Sequence, residues 1–132
     1  MKRIGFCTGI FDLLHKGHKA FFNRAAKHCD LLIIAVASDW ITAIQKGQQR
    51  PEQDEIERVR AVKNYCKQHG IASKVIVTDE LDFRYLADLG IVDVFIWGED
   101  QKNVRPKGGE YEVVILPRTP NISTTKLLKG RK

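Results

Sequence analysis

The stretch Thr8-Gly9-Ile10-Phe11-Asp12-Leu13-Leu14-His15-Lys16-Gly17-His18 follows a short apolar run at the start of the chain. Residues 2–8 have the pattern of a β-strand, and residues 17–28 carry apolar side chains near helical period. The stretch therefore predicts a strand, a tight turn and a helix. The first N–H groups of such a helix point beyond the end of the strand and can bind a phosphate. His15 and His18, three residues apart, can donate hydrogen bonds to the same phosphate.

Strand and helix patterns alternate along the rest of the chain. Residues 31–37 form a continuous apolar run, as in a strand buried on both faces of a parallel sheet, and Ser38 or Asp39 can cap a short helix after it. The further predicted elements are a loop over 45–51, a helix over 52–69, a strand over 74–78, a helix over 81–89, strands over 92–97 and 112–116, and a last helix from Ser123. This alternation predicts an α/β fold of three layers with a mostly parallel five-stranded sheet, in a single domain over residues 1–132. Ligands of such sheets bind beyond the carboxyl ends of the strands.

The composition excludes several classes of protein. No apolar run approaches the roughly 20 residues of a membrane helix, and the first residues lack the apolar core of a signal peptide, so we expect a cytoplasmic protein that does not enter a membrane. Three widely spaced cysteines indicate neither a zinc site nor a redox motif. The net charge of +6 fits either nucleic acid or a small polyanion as ligand. Because the basic residues are spread along the whole chain, we expect the small polyanion and no nucleic acid.

A second group of polar residues precedes the last predicted helix. Arg118-Thr119-Pro120-Asn121-Ile122-Ser123-Thr124-Thr125 joins an arginine to a run of hydroxyl groups. The hydroxyls can cap the helix, and together with the first N–H groups they can also receive phosphate oxygens. Arg118 can bind the same phosphate with two parallel hydrogen bonds.

Three further positions admit both a functional and a plain interpretation. Lys46, in the predicted loop beside Gly47, can fold over a triphosphate, although a surface lysine is more commonly only solvated. Arg58 lies on a charged helix face, which is usually a solvated face. Gly98, just after a predicted strand, allows a ligand to approach closely, while Gly98 and Asp100 also suit an ordinary turn.

The segment His15-Lys16-Gly17-His18, taken with Arg118–Thr125, resembles the HxGH and RTxxISTT signatures of the cytidylyltransferases, most of all the glycerol-3-phosphate type. The resemblance covers essentially the whole chain. It implies a Rossmann-like nucleotidyltransferase fold, a homodimer, and transfer of CMP from CTP, or of a nucleotidyl group from another NTP, to a phosphorylated small alcohol with release of pyrophosphate. It also implies Mg²⁺ bound with the substrate phosphates, and no protein ligand for the metal is identified.

The resemblance assigns expected roles to individual residues. His15 and His18 contact the α-phosphate region, Lys46 reaches the phosphates, and Arg118 holds the triphosphate tail or the second substrate; these four are the expected catalytic residues. Asp12 is expected to orient a histidine or a backbone group, or to help position Mg²⁺. The residues expected to bind nucleotide and phosphate are Thr8, Gly9, Ile10, Phe11, Asp12, Arg58, Gly98, Asp100, Ile122, Ser123 and Thr124. The acceptor, an ionised phosphate monoester, needs no general base, so the site has to bring two anions together and stabilise the leaving pyrophosphate.

The chain also departs from the glycerol-phosphate enzymes. Their second arginine on the long helix falls near Cys66 here, and Asn121 stands where glycine is usual. The loop Lys46–Pro51 instead resembles the KGxxRP loop of the heptose-phosphate adenylyltransferases, a sister group that shares HxGH. The alternatives are therefore an adenylyltransferase acting on a sugar phosphate or a flavin-like phosphate, and a catalytically silent nucleotide-binding protein. The base and the acceptor depend on residues around Lys46–Pro51 and Tyr65–Lys67.

Overall fold

Strands and helices alternate in a computed structural model that describes residues 2–46, 52–80, 82–99, 101 and 111–117. The elements are β1 (Ile4–Gly9), α1 (Lys16–Ala26), β2 (Leu31–Ala37), α2 (Asp39–Lys46), α3 (Glu55–Gln68), β3 (Ser73–Thr78), α4 (Arg84–Asp88), β4 (Val94–Gly98) and β5 (Glu112–Leu116). The five strands form one parallel sheet in the order β3-β2-β1-β4-β5. The predicted α/β fold with a parallel five-stranded sheet is confirmed.

The strand order places a crevice beside the end of β1. The chain builds β1, β2 and β3 toward one edge of the sheet and then crosses over to build β4 and β5 toward the other. In such sheets the connections leave β1 and β4 in opposite directions, and the gap between them at their carboxyl ends is the usual ligand site. The stretch that contains His15 and His18 begins at this gap.

Two apolar clusters cover the two faces of the sheet. The larger one packs α1 and α3 against one face and includes Cys7, Phe22, Ile34, Val36, Val62, Cys66 and Ile96. The other face carries an aromatic cluster beside α4, formed by Phe6, Phe83, Phe95 and Trp97. Helices therefore lie on both faces, as the three-layer prediction requires.

Local capping explains where the helices depart from their predicted bounds. The α3 helix begins at Glu55 rather than at residue 52, because the Asp54 carboxylate accepts from the N–H of Glu57 at 2.8 Å and caps the helix there. It is Ser38 that caps α2, accepting from the N–H of Ile41 at 3.1 Å. The loop prediction for 45–51 is wrong at its start, since α2 continues through Lys46, as its helix-favouring residues allow.

The ends of α3 and α4 follow the sequence signals. Gly70 and Gly90 have φ values of +66° and +71°, the left-handed conformation that ends a helix and that glycine adopts without strain. The α4 helix spans Arg84–Asp88, shorter than the predicted 81–89, and its N-cap residue Phe83 makes no side-chain capping hydrogen bond. The last predicted helix, from Ser123, lies outside the described residues.

Candidate active site

His15 and His18 cap the first turn of α1 reciprocally. The Nδ1 atom of His15 accepts from the N–H groups of Gly17 at 3.0 Å and of His18 at 3.4 Å, while the Nδ1 atom of His18 accepts from the N–H of His15 at 3.3 Å. The two rings are stacked, with centroids 3.8 Å apart and planes 17° apart. The spacing of three residues is that of a capping box, here built from two imidazoles.

These hydrogen bonds fix which nitrogen of each ring carries the proton. An Nδ1 atom that accepts a hydrogen bond has no proton, so each neutral ring carries its proton on Nε2. Burial, and then the neighbouring His15, lowers the pKa of His18 to about 3, and burial lowers the pKa of His15 as well. At neutral pH the pair therefore consists of two uncharged rings with two Nε2–H donors. Of the helix N–H groups expected to bind phosphate, those of Gly17 and His18 are already used by the His15 side chain.

The lowered pKa of His18 predicts a pH-dependent stability. In the unfolded chain this histidine takes up a proton near pH 6.5, whereas the folded chain resists protonation down to about pH 3. Between these values the unfolded state binds more protons, so stability is complete above about pH 6.5 and falls as the pH is lowered. We expect the wild-type Tm to fall between pH 7 and pH 4.5 by roughly 5 °C more than that of a His18→Asn variant.

This comparison needs a control for the many other groups that titrate in the same range. His28 is an exposed histidine, so a His28→Asn variant serves as the control for the same substitution at another position. Parallel Tm profiles for wild type and His18→Asn would contradict the assignment.

The backbone between β1 and α1 is tightly folded. Phe11 and Leu13 have φ values of +55° and +50°, which non-glycine residues rarely adopt. A Cβ atom on Gly9 would lie 2.9 Å from the Phe11 ring, so only glycine fits beneath that ring. Thr8 is tied inward as its hydroxyl donates to the carbonyl of Ala35 at 2.9 Å. Thr8, Gly9 and Phe11 thus shape the turn.

The Phe11 ring connects this turn to the histidine pair. It meets His18 edge-to-face, with centroids 5.6 Å apart, and packs on Phe22 of α1 at 5.0 Å. Phe11 is itself buried, so it covers one side of the His18 imidazole with apolar surface. This contact accounts for part of the desolvation that lowers the pKa of His18.

Arg58 is fully buried and joins three separate segments of the site. Its Nη1 atom donates at 2.8 Å to the carbonyl of Ile10, after β1, and at 2.8 Å to that of Ala37, at the end of β2. Its Nε atom donates to the carbonyl of Gln53 at 3.1 Å, and its Nη2 atom forms an ion pair with Asp39 at 2.7 Å. The plain interpretation of a solvated face is wrong for this residue, because its guanidinium satisfies backbone carbonyls at the carboxyl edge of the sheet.

Asp12 binds backbone groups before α3. Its carboxylate oxygens accept from the N–H groups of Glu52 at 2.8 Å and Gln53 at 3.0 Å, and the Gln53 side chain in turn accepts from the N–H of Leu13 at 3.0 Å. Asp12 is only 4% exposed. Of the roles expected for Asp12, the described contacts match the orientation of backbone groups.

Removing the Asp12 carboxylate leaves two N–H groups without their acceptor. We expect Asp12→Ala to lower the free energy of unfolding by about 1–3 kcal/mol, measured by urea denaturation. Glu52→Gln is the matched control, because it removes a neighbouring exposed carboxylate and keeps the N–H that Asp12 binds. An Asp12→Ala variant as stable as that control would show that these bonds contribute nothing.

Gln101 connects the ends of β4 and β1, a role that no sequence pattern around it indicates. Its Oε1 atom accepts from the N–H of Gly98 at 2.8 Å, and its Nε2 atom donates to the carbonyl of Thr8 at 2.5 Å. Its N–H donates to the carbonyl of Gly98 at 3.1 Å, which closes the turn predicted at this place. Gly98 is therefore brought next to the end of β1.

Most of the other expected site residues lie outside the part of the chain that the structure describes. Lys46 is the last residue of α2, and its side chain lies outside what the structure describes. Asp100, Arg118, Ile122, Ser123 and Thr124 also lie outside the described residues. Tyr65 and Cys66 are buried near the C-terminal end of α3, where the chain turns back to start β3. Tyr65 packs on Phe22 of α1 and accepts a hydrogen bond from Asn23, and no described hydrogen bond or ring contact joins Tyr65 or Cys66 to either histidine.

Across residues 2–46, 52–80, 82–99, 101 and 111–117, no three His, Cys, Asp or Glu side chains are grouped so that they could hold a metal ion. Over the same residues, no helix is long and apolar enough to cross a membrane.

The sequence matches the model of one protein family, described as cytidylyltransferase-like, over residues 6–130. Among curated proteins it is similar to the bifunctional protein HldE of Rhodopseudomonas palustris, with 31% identity over 132 residues, 96% of this chain and 26% of that protein. It is also similar to the protein of the same name from Nitrobacter hamburgensis, with 33% identity over 153 residues, 96% of this chain and 26% of that protein. The chain thus spans about a quarter of the length of these relatives.

A solved structure shares the fold. The crystal structure of the lipopolysaccharide core biosynthesis protein from Thermoplasma volcanium superposes with a TM-score of 0.69 and 24% sequence identity, over 90% of this chain and 99% of that one. This likeness supports the Rossmann-like architecture.

Proposed function

Because the chain belongs to the cytidylyltransferase-like family, we propose that it transfers a nucleotidyl group from a nucleoside triphosphate to a phosphorylated small molecule and releases pyrophosphate. The observation that carries the proposal is the imidazole pair at the crevice between β1 and β4. Both Nδ1 atoms are occupied by backbone N–H groups, and both Nε2–H groups are left as donors. Two uncharged donors fixed side by side suit the oxygens of a phosphate that gains negative charge.

The reaction needs positioning more than acid–base chemistry. An ionised phosphate oxygen of the acceptor attacks the α-phosphorus, and the bond from that phosphorus to the bridging oxygen of the pyrophosphate breaks. We assign the Nε2–H groups of His15 and His18 to the α-phosphate oxygens, where they stabilise charge as it develops. Since both histidines have lowered pKa values, they act as neutral hydrogen-bond donors that need not change protonation during the step.

The proposal also includes Lys46 and Arg118, whose roles are supported only by the resemblance to the cytidylyltransferases. We assign Lys46 to the phosphates and Arg118 to the triphosphate tail or the acceptor. Mg²⁺ would enter with the nucleotide and neutralise its phosphates, since this ion keeps several waters and binds phosphates readily. Asp12 already accepts two backbone N–H groups, and we assign no protein carboxylate to the metal.

For the substrates we propose AMP transfer from ATP to a sugar phosphate of the heptose-phosphate type. The loop Lys46–Pro51 resembles that of the heptose-phosphate adenylyltransferases, and the glycerol-phosphate arginine is replaced near Cys66. The HldE relatives are named bifunctional and match this chain over one quarter of their length, as expected if the matched segment carries one of their two functions. CMP transfer from CTP to glycerol-3-phosphate is the second candidate, favoured by the segment Arg118–Thr125.

Pyrophosphate release with each of the four NTPs, against a panel of phosphomonoesters, tests both candidates. The panel contains a heptose 1-phosphate, glycerol-3-phosphate and phosphocholine, with the His18→Asn variant as the blank. We expect the highest kcat/KM with ATP and the heptose phosphate, at least about tenfold above any other pair. A preference for CTP with glycerol-3-phosphate would replace the first candidate by the second. Saturable NTP binding without pyrophosphate release would instead identify a silent nucleotide-binding protein.

A further inference from the structure

A groove of about 460 Å³ lies between the C-terminal half of α3 and the edge of β3, away from the histidine pair. We call it the lysine groove; it is lined by Lys63, Lys67, Ile71, Ser73, Lys74 and Val75. Lys67 is nine residues beyond Arg58 on α3, which places it about 13 Å farther along the helix axis from the carboxyl edge of the sheet. The groove is therefore separate from the site of the proposed function.

The charge of the groove is unbalanced. Its three lysines come from two elements, with Lys63 and Lys67 one helical turn apart on α3 and Lys74 on β3. All three are exposed, none is in an ion pair with the described residues, and none of the described lining residues carries a carboxylate. The same groove is lined by the partly buried apolar side chains of Ile71 and Val75. A ligand with negative charges beside apolar groups would complement this surface.

The strand that borders the groove has a free backbone edge. β3 is the outermost strand and pairs only with β2 in the described sheet. The carbonyls of Ala72 and Thr78 accept from the N–H groups of β2 residue Leu32 and of Ser38, so the even-numbered residues of β3 turn their backbone polar groups toward β2. Because these groups alternate along a strand, Ser73, Val75 and Val77 turn theirs outward. An extended peptide can add to such an edge as a further strand.

We propose that the lysine groove binds an extended acidic segment of a partner protein, which pairs with the outer edge of β3 and places its carboxylates against Lys63, Lys67 and Lys74. The groove is open to solvent, so a small anion would remain largely exposed, unlike the ligands of typical small-molecule pockets. None of its described lining residues is aromatic, and single-stranded nucleic acids bind largely by stacking on aromatic side chains. A second copy paired symmetrically on this edge would bring three more lysines against the first three, which repel.

The test uses the full chain and a labelled ten-residue peptide of alternating glutamate and valine, followed by fluorescence anisotropy. We expect saturable binding, weakened at least about tenfold in Lys63→Gln/Lys74→Gln. The double variant Lys2→Gln/Lys27→Gln removes the same charge from exposed positions elsewhere and should bind as the wild type does. Val75→Pro removes one outward N–H, which an edge strand tolerates, and should also weaken binding. Pyrophosphate release should be unchanged in all of these variants, which separates this inference from the proposed function.

Several results would overturn the inference. One is that the wild type shows no saturable binding of the peptide. Another is that the two double lysine variants weaken peptide binding equally, since that would indicate diffuse electrostatic attraction only. Equally tight binding of a thymidine oligonucleotide with the same lysine dependence would assign the groove to nucleic acid. Self-association that disappears in Lys63→Gln/Lys74→Gln, measured by sedimentation velocity, would assign it to a second copy. If the backbone amides of Val75 and Val77 exchange hydrogen equally fast with and without the peptide, the peptide does not pair along β3.

Discussion

The His18→Asn variant is expected to lose between about 10² and 10⁴ in kcat while it remains folded. The asparagine Oδ1 atom can take the place of the Nδ1 atom of His18 and accept from the N–H of His15, so the reciprocal cap of α1 persists. What disappears is the Nε2–H donor, for which asparagine offers no equivalent reach. The loss should therefore appear in kcat of pyrophosphate release with the preferred substrate pair, with a Tm at pH 7 within a few degrees of wild type.

Two further variants separate the donor from the cap. His18→Gln places an amide N–H group nearer to the position of Nε2 and should recover part of the lost rate, although its Oε1 atom caps the helix less well. His18→Ala removes both functions and should combine a rate loss like that of His18→Asn with a lower Tm. If His18→Asn retained wild-type kcat, His18 would be a capping residue only, and the proposed function would lose the observation that carries it.

The parts of the site predicted from the sequence are those with local signals. A strand, a turn and a helix are visible around Thr8–His18 because apolar period and capping chemistry are properties of neighbouring residues. For the same reason the apolar run over residues 31–37 predicts β2 with its observed bounds. For the histidines the sequence predicts phosphate binding, and the observed cap is what leaves each ring with an Nε2–H donor.

Contacts between distant segments were not predictable in this way. Arg58 has the same pattern around it as any arginine on a solvated helix face, and only the packing of α3 against β1 and β2 reveals that it is buried. Gln101 lies 93 residues from Thr8 in the chain, so no local pattern indicates their hydrogen bond. Tyr65 lies in the segment on which base and acceptor choice is expected to depend, but burial on α3 and a 2.8 Å hydrogen bond from Asn23 hold it in the core between two helices.

Replacing Arg58 by methionine is expected to cost about 3–5 kcal/mol in the free energy of unfolding. Methionine fills much of the same volume but donates no hydrogen bond, so the carbonyls of Ile10, Ala37 and Gln53 lose their partner. Buried carbonyls without a donor each carry a desolvation cost that no new contact offsets. Since total stabilities are commonly only about 5–15 kcal/mol, the midpoint of urea denaturation should fall steeply.

The ion pair with Asp39 contributes the smaller share of this effect. The Asp39 side chain is 46% exposed, whereas that of Arg58 is wholly buried, so Asp39→Asn should cost less than about 1 kcal/mol. Arg58→Lys keeps the charge but offers a single ammonium group in place of the planar fork, and it cannot serve all four acceptors. Its stability should lie between those of the wild type and Arg58→Met, which keeps the prediction measurable even if Arg58→Met does not fold.

The same variants decide between two roles for Arg58. The resemblance to the cytidylyltransferases places this arginine among the phosphate-binding residues, whereas its described hydrogen bonds hold the ends of β1 and β2 against the start of α3. If it positions these segments, Arg58→Lys loses stability and activity together, because the turn that carries His15 and His18 is attached to Ile10. If it binds phosphate directly, Arg58→Lys should instead keep its denaturation midpoint and raise KM for the NTP. Unfolding and steady-state kinetics on this one variant therefore distinguish the two, and we expect the loss of stability.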